Sequence, residues 1–121
     1  MSAWIWVAVA PLGAIGALGR FLLDGIVSAR ASGGFPVGTL VVNATGSLLL
    51  GLLAGLAVTG NALLLVGTAT IGSYTTFSTW MLESQRLTED ADVLGAFVNI
   101  AASLAIGVGA AALGHAIGAS G

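Results

Sequence analysis

The feature that most constrains this chain is a long stretch without charge. No Asp, Glu, Lys or Arg occurs from Ala31 to Leu82, a length more than twice the ~20 residues that cross a bilayer as a helix. This stretch therefore predicts two membrane spans. Two further uncharged stretches, Met1–Gly19 and Val93–Gly121, each predict one more span.

Composition supports a membrane protein and excludes several other classes. Only 7% of the 121 residues are charged, against roughly 25% in a soluble domain. The net charge of −2 points neither to nucleic acid nor to an acidic partner. Because the chain has no cysteine, disulfides, thiolate metal sites and cysteine nucleophiles are excluded. Four spans leave only short connections, so residues 1–121 are expected to form a single transmembrane domain.

Helix-breaking residues set the bounds of the predicted helices. Gly33 and Pro36 mark the first connection, and residues 59–61 mark a short second one. The polar residues 88–92 form the third, with Asp92 placed to cap the last helix. The predicted fold is an all-α membrane protein with four transmembrane helices at about residues 4–26, 37–58, 62–87 and 92–117.

The charged residues are expected to lie at one face of the membrane. The termini and the second connection belong to the opposite face and carry no Asp, Glu, Lys or Arg. Orientation in a membrane depends mainly on Lys and Arg, and this chain has three such residues, Arg20, Arg30 and Arg86. So weak a bias permits insertion in both orientations and an antiparallel dimer. A single orientation with the charged face in the cytoplasm is equally compatible with it.

Polar residues inside the predicted spans are the candidate functional residues, because an unsatisfied polar group in hydrocarbon is costly. Thr39, Asn43 and Ser47 lie four residues apart on one face of the second helix. The amide of Asn43 has N–H donors that can replace water around a small anion. Hydrogen bonding between packed helices explains the same spacing.

A similar row, Asn99, Ser103 and Gly107, follows one face of the fourth helix. It either extends the polar face beside Asn43 or serves helix packing. Packing is favoured, because Asn99 is expected near the membrane surface and within reach of water.

The third helix is predicted to be broken at its centre. Gly72 and the clustered hydroxyl residues from Thr75 onward weaken a helix, and a broken membrane helix leaves carbonyls that can bind a cation. Phe77 and Trp80 are three residues apart and project from one face. Their positive ring edges suit an anion in a narrow path, although ordinary packing or a place at the membrane surface also explains them.

Three motifs together resemble the Fluc (CrcB) fluoride channel family. They are GALGR at residues 16–20, GTLVVNATGS at 38–47, and GSYTTFSTW at 72–80 followed by Glu83. The resemblance covers essentially the whole chain. It implies a multi-pass channel of the bacterial plasma (inner) membrane that lets fluoride leave the cell passively, with no enzyme activity.

The resemblance also implies an assembly and a set of site residues. The family forms an antiparallel dual-topology homodimer with two pores, in which the broken third helices hold one structural sodium ion. Its carbonyl ligands fall here on Gly72 and Thr75, and Arg20 matches a family arginine near the end of the first helix, taken here as structural. The predicted fluoride pore residues, including Ser103 from the polar row of the fourth helix, are Asn43, Phe77, Ser78, Thr79, Trp80 and Ser103.

Trp80 departs from the family pattern, in which phenylalanine is usual at this position. Its indole N–H is an additional donor. The residue therefore lines the pore as the phenylalanine does, alters conduction, or belongs to a chain that works best with a second, different subunit.

Two other functions are compatible with a small four-helix membrane protein. A multidrug or cation exporter is also able to form an antiparallel dimer, but proton coupling needs a membrane-embedded acid. The acidic candidates, Asp24 and Glu83, are predicted near helix ends. A non-conducting scaffold subunit would leave the break in the third helix without a purpose.

Overall fold

The computed structural model describes residues 2–31 and 33–120, and this part of the chain is almost entirely helical. Helix α3 (residues 60–74) is continuous but changes pitch. Its ends, Gly60–Ala62 and Gly72–Tyr74, are α-helical, and the stretch between them, Leu63–Ile71, is π-helical. The other elements in the described residues are α1 (Ala3–Arg30), α2 (Val37–Gly55), α4 (Ser78–Glu89) and α5 (Val93–Ser120). The all-α prediction is confirmed.

In the part of the chain that the structure describes, three helices, α1, α2 and α5, are long and apolar enough to cross a membrane. The segment predicted as the third span, residues 62–87, is instead divided into α3 and α4, because residues 75–77 leave the helical path. This interruption falls within the hydroxyl-rich sequence that predicts a break. Neither half alone reaches the length of the other spans.

The ends of α2 and α4 differ from the predicted ends. Helix α2 ends at Gly55 rather than near residue 58, because Ala57 adopts the left-handed conformation with φ of 57°. The N–H of Val58 then donates to the carbonyl of Leu53 at 3.0 Å, which closes a Schellman motif. Ala91, with φ of 63°, has the same role after α4, which continues to residue 89 rather than 87.

The first and last helices are longer than predicted. Helix α1 continues past residue 26 to Arg30, since no Gly or Pro lies between residue 26 and Gly33, whose φ is +89°. Helix α5 begins at Val93 as expected. The carboxylate of Asp92 caps it by accepting the N–H of Gly95 at 2.8 Å.

The interruption lies where several helices meet. Helix α1 packs against α3, α4 packs against α5, and α2 contacts both halves of the divided segment. The most extensive contact joins α2 to α5, and glycines allow it. A Cβ atom at Gly114 would lie 2.8 Å from the backbone nitrogen of Leu52, and one at Gly51 would lie 2.9 Å from Cα of Ala111.

We expect Gly114→Ala to destabilise the protein because its new methyl group would push α2 and α5 apart. Overpacking of this kind costs about 1–3 kcal/mol, which a lower midpoint of thermal unfolding in detergent would record. Gly109→Ala is the matched control on the same helix, since a Cβ at Gly109 meets nothing within 4 Å. Equal unfolding midpoints for the two variants would contradict the close contact.

Candidate functional site

Asn43 holds the interrupted segment through two hydrogen bonds. Its Nδ2 donates to the carbonyl oxygen of Thr76 at 2.8 Å, and its Oδ1 accepts the N–H of Thr76 at 2.8 Å. A side-chain amide has two N–H groups, and the second is not hydrogen-bonded to any residue that the structure describes. The polar face of α2 thus meets the interruption directly.

Two backbone N–H groups at the interruption bond to side chains and not to helical carbonyls. In an uninterrupted helix, the carbonyl of Gly72 would accept the N–H of Thr76, and that of Thr75 the N–H of Thr79. Here the N–H of Thr76 donates to Asn43, and the N–H of Thr79 donates to Oγ1 of Thr76 at 3.2 Å. Gly72 and Thr75, the residues predicted to bind sodium, therefore each lose the N–H partner that a helix provides, and the carbonyl of Gly72 instead accepts the hydroxyl of Thr75 at 3.5 Å.

A cavity of about 370 Å³ lies beside the interruption. It brings together most of the predicted pore residues with Thr75, while Ser78 and Thr79 are not among the residues that line it. Its polar and aromatic lining residues are Asn43, Ser47, Thr75, Thr76, Phe77, Trp80 and Ser103. Its remaining walls are Leu104, Gly107, Val108 and Ala111.

Two aromatic rings form one side of this cavity. The rings of Phe77 and Trp80 meet edge to face, with centroids 5.6 Å apart and planes at 88°. Phe77 is 68% exposed within one copy of the chain, so the cavity opens at this residue. Aromatic ring edges are positively polarised and attract anions weakly, and both residues line the cavity together with Asn43.

The indole N–H of Trp80 is hydrogen-bonded within the protein and is not available as a donor to the pore. Nε1 donates to the backbone carbonyl of Asn99 in α5 at 3.1 Å. The extra donor that distinguishes tryptophan from phenylalanine is therefore engaged within the protein.

The polar row of the fourth helix divides between the cavity and the helix packing. Asn99 is only 1% exposed, so the expectation that it reaches water is wrong: α4 covers it, and its Nδ2 donates to Oγ of Ser84 at 2.9 Å. Ser103 is buried at the cavity wall and its hydroxyl lies 3.5 Å from Oδ1 of Asn99. Gly107 lines the cavity opposite Ser47.

Ser78, Thr79 and Arg20 lie outside the cavity. Ser78 is exposed at the start of α4, and Thr79 uses its N–H at the interruption. Arg20 is half-buried in α1, and its Nε atom is buried without a hydrogen-bond partner among the described residues.

Several residues of the site are not identified by sequence reasoning. Thr76 contributes through its backbone and its capping hydroxyl, which spacing along α2 does not reveal. Tyr74 hydrogen-bonds through its hydroxyl to Oγ1 of Thr45 at 2.7 Å and holds the end of α3 against α2. Ser84 lies one helical turn beyond Trp80 on the same face of α4, and this spacing alone would have predicted that the two residues are neighbours.

The family of the chain follows from comparison with known sequences. The family model described as CrcB-like protein, Camphor Resistance (CrcB), matches residues 7–115. The chain belongs to this family. With three long apolar helices among its described residues, it is a multi-pass membrane protein, and the predicted family is confirmed.

Curated relatives of this CrcB-like chain are named as channels. Fluoride-specific ion channel FluC 2 of Mycolicibacterium paratuberculosis is 53% identical over 111 residues, which are 92% of this chain and 91% of the relative. Fluoride-specific ion channel FluC 1 of Symbiobacterium thermophilum is 43% identical over 93% of this chain and 96% of the relative. Fluoride-specific ion channel FluC 2 of Haloarcula marismortui is 47% identical over 82% of this chain and 83% of the relative.

Proposed function

We propose that this protein is a fluoride-selective channel that lets fluoride leave the bacterial cell passively across the plasma (inner) membrane and so protects against fluoride toxicity. The observation that carries the proposal is the cavity at the interruption, which Asn43 lines together with the rings of Phe77 and Trp80. Donors and ring edges in a narrow apolar passage replace the water of a small anion without binding it tightly. The names of the relatives point to the same ion.

The exporter hypothesis is not favoured by the composition of this cavity. Among the described residues that line it, none is Asp or Glu, whereas proton coupling needs an embedded acid. Glu83 instead lines a separate hollow of about 230 Å³ with Gly34, Pro36, Arg86 and Asp90. That hollow lies at the end of the bundle where one connection joins α1 to α2 and another joins α4 to α5.

We further propose that α3 and α4 together form a fourth span and that a second, antiparallel copy covers the interruption. Gly72 is exposed in a single copy, and its carbonyl lacks the N–H of Thr76. Interrupted backbone is tolerated at membrane depth only against protein or a water-filled cavity. Phe77 is likewise exposed in a single copy, and the proposed partner would cover both residues.

The residues at the interruption fit a structural sodium ion. Unwound backbone carbonyls coordinate sodium in secondary transporters with discontinuous helices. The N–H groups of Thr76 and Thr79 bond to side chains here, so the carbonyls of Gly72 and Thr75 lack these backbone donors, and that of Gly72 accepts only the Thr75 hydroxyl at 3.5 Å. Sodium would bind the negative oxygen ends of these carbonyl dipoles where two copies meet. Its role would be structural, holding the interrupted helices in place.

We expect Thr76→Val to weaken sodium binding. Valine keeps the shape of threonine but removes Oγ1, so the N–H of Thr79 is free to bond to the carbonyl of Thr75 and to compete with the cation. Because one hydrogen bond contributes about 1 kcal/mol, the variant should need about fivefold more sodium for half-maximal thermal stabilisation. The measurement is the unfolding midpoint in detergent as sodium replaces N-methylglucamine.

Thr88→Val is the matched control for this prediction. Thr88 is exposed in α4, and its hydroxyl bonds to the carbonyl of Ser84, away from the interruption. Its sodium curve should follow that of the unmodified protein. Identical curves for all three proteins, or stability that is indifferent to sodium, would contradict the sodium site.

Passive efflux from liposomes tests the proposed function. Vesicles containing the purified protein should lose fluoride much faster than protein-free vesicles and retain chloride. Retention of both ions would contradict a homodimeric channel, and loss of both would contradict the selectivity. Dual topology is tested in cells, where a tag at the C-terminus should be labelled from both sides of the plasma membrane, and labelling from one side only would contradict it.

A further inference from the structure

Trp80, Ser84 and Asn99 form a closed circuit of hydrogen bonds between α4 and α5. The indole Nε1 of Trp80 donates to the carbonyl of Asn99 at 3.1 Å, and Nδ2 of Asn99 donates to Oγ of Ser84 at 2.9 Å. The hydroxyl of Ser84 donates to the carbonyl of Trp80 at 3.0 Å. Starting from the Trp80 side chain, the circuit therefore returns to the Trp80 backbone.

This circuit is shielded from the surroundings of the protein. Ser84 is 4% exposed and Asn99 is 1% exposed. A buried polar group that loses its partner carries the full penalty of desolvation, so each bond of the circuit restrains the others. In a membrane segment, no water is available to replace a broken bond.

The circuit also decides which part of Trp80 faces the cavity. Because Nε1 is bonded to α5, the N–H is not directed at the ion path, and the ring meets Phe77 edge to face. We propose that Ser84 and Asn99 are positioning residues that clamp the Trp80 ring, so that Trp80 serves the path through its ring and not through its N–H. This inference rests on the proposed fluoride channel, but the clamp itself is measurable without conduction.

Spectroscopy of a single tryptophan tests the clamp directly. Trp4 and Trp6 are 57% and 63% exposed on α1, so Trp4→Phe with Trp6→Phe leaves Trp80 as the reporter. Ultraviolet resonance Raman contains an indole mode that responds to hydrogen bonding of the N–H. In this double variant, the parent for the following comparisons, we expect the frequency of a hydrogen-bonded N–H. The frequency should be the same in saturating fluoride as in chloride.

Variants of Ser84 separate the clamp from a general packing role. Ser84→Ala removes the hydroxyl between Asn99 and the Trp80 backbone, and the indole mode should move toward a weaker hydrogen bond. Ser84→Thr keeps the hydroxyl and should preserve the mode. Thr88→Ala is the control, because it removes a similar hydroxyl-to-carbonyl bond one turn away on the exposed face.

Ion selectivity gives a second readout. Ser84→Ala should lower the ratio of fluoride to chloride efflux by about fivefold, the scale of one hydrogen bond, while Thr88→Ala leaves it unchanged. In a Trp80→Phe background, Ser84→Ala should have no further effect, since the hydroxyl acts through the indole. Additive effects would overturn the clamp and assign Ser84 to packing alone.

The two proposals fail in different ways. An indole mode that is the same in the parent and in Ser84→Ala, or one that shifts when fluoride is added, would overturn the clamp whatever the protein conducts. A mode that responds as expected in a protein that passes no fluoride would uphold the clamp and overturn the proposed channel. Asn99→Ala repeats the comparison at the other buried member of the circuit.

Discussion

Asn43→Asp should reduce fluoride efflux from liposomes by at least about 100-fold, because like charges 4 Å apart repel by about 4 kcal/mol near a protein surface. The substitution places a carboxylate at the cavity through which the anion is proposed to pass. It also replaces the Nδ2 donor by an oxygen that faces the carbonyl of Thr76, so the interrupted segment loses one of its two bonds to α2. Initial fluoride efflux at neutral pH is the measurement.

Two controls separate the charge from the lost hydrogen bond. Asn61→Asp introduces the same charge at an exposed position in α3 and should leave efflux near that of the unmodified protein. Asn43→Ala removes both bonds to Thr76 without adding charge, and we expect an efflux rate between the two. If Asn43→Asp conducts fluoride normally, Asn43 does not lie on the path.

The helices and the interruption could be predicted because both follow from local composition. Uncharged stretches of sufficient length predict the spans, and Gly72 with its neighbouring hydroxyl residues predicts the break. The exact ends could not be predicted in the same way. Glycine is the usual left-handed residue after a helix end, but Ala57 and Ala91 take this conformation after α2 and α4, and alanine carries no such signal.

The candidate site shows a similar division. The rows on α2 and α5 and the spacing of Phe77 and Trp80 are visible in the sequence, and the structure gathers Asn43, Phe77, Trp80 and Ser103 around one cavity. Spacing within one helix does not say which atom of another helix a side chain will bond. For this reason the pairing of Asn43 with the Thr76 backbone remained outside sequence reasoning.

The burial of Asn99 could not be predicted for a related reason. Its position near the start of α5 places it close to the expected membrane surface, where water would satisfy its amide. The structure covers it with α4 and supplies the Ser84 hydroxyl instead. How closely two helices pack depends on residues of both, and the pattern of one helix contains only half of that information.

Two variants with fixed and opposite orientations should each be inactive alone and active together. If the functional unit is an antiparallel dimer, every channel needs one copy in each orientation, and the weak bias of three arginines leaves both available. Adding positive charge to one face fixes the orientation with that face in the cytoplasm. Ala29→Lys with Thr88→Lys adds it at exposed positions of the face that already holds the arginines.

The opposite orientation requires charge at the other face. Thr59→Lys, Asn61→Lys and Ser120→Lys add it at exposed positions there, and Arg30→Gln removes one competing charge. We expect fluoride efflux of each variant alone to fall to the level of protein-free vesicles, and efflux to return when both are expressed together and purified as one complex. Since neither set alters a residue that lines the cavity, recovery on co-expression would show that both copies are intact and that only their relative orientation was missing. Full activity of either variant by itself would require a parallel assembly or a single copy, and would remove the antiparallel partner proposed to cover Gly72 and Phe77.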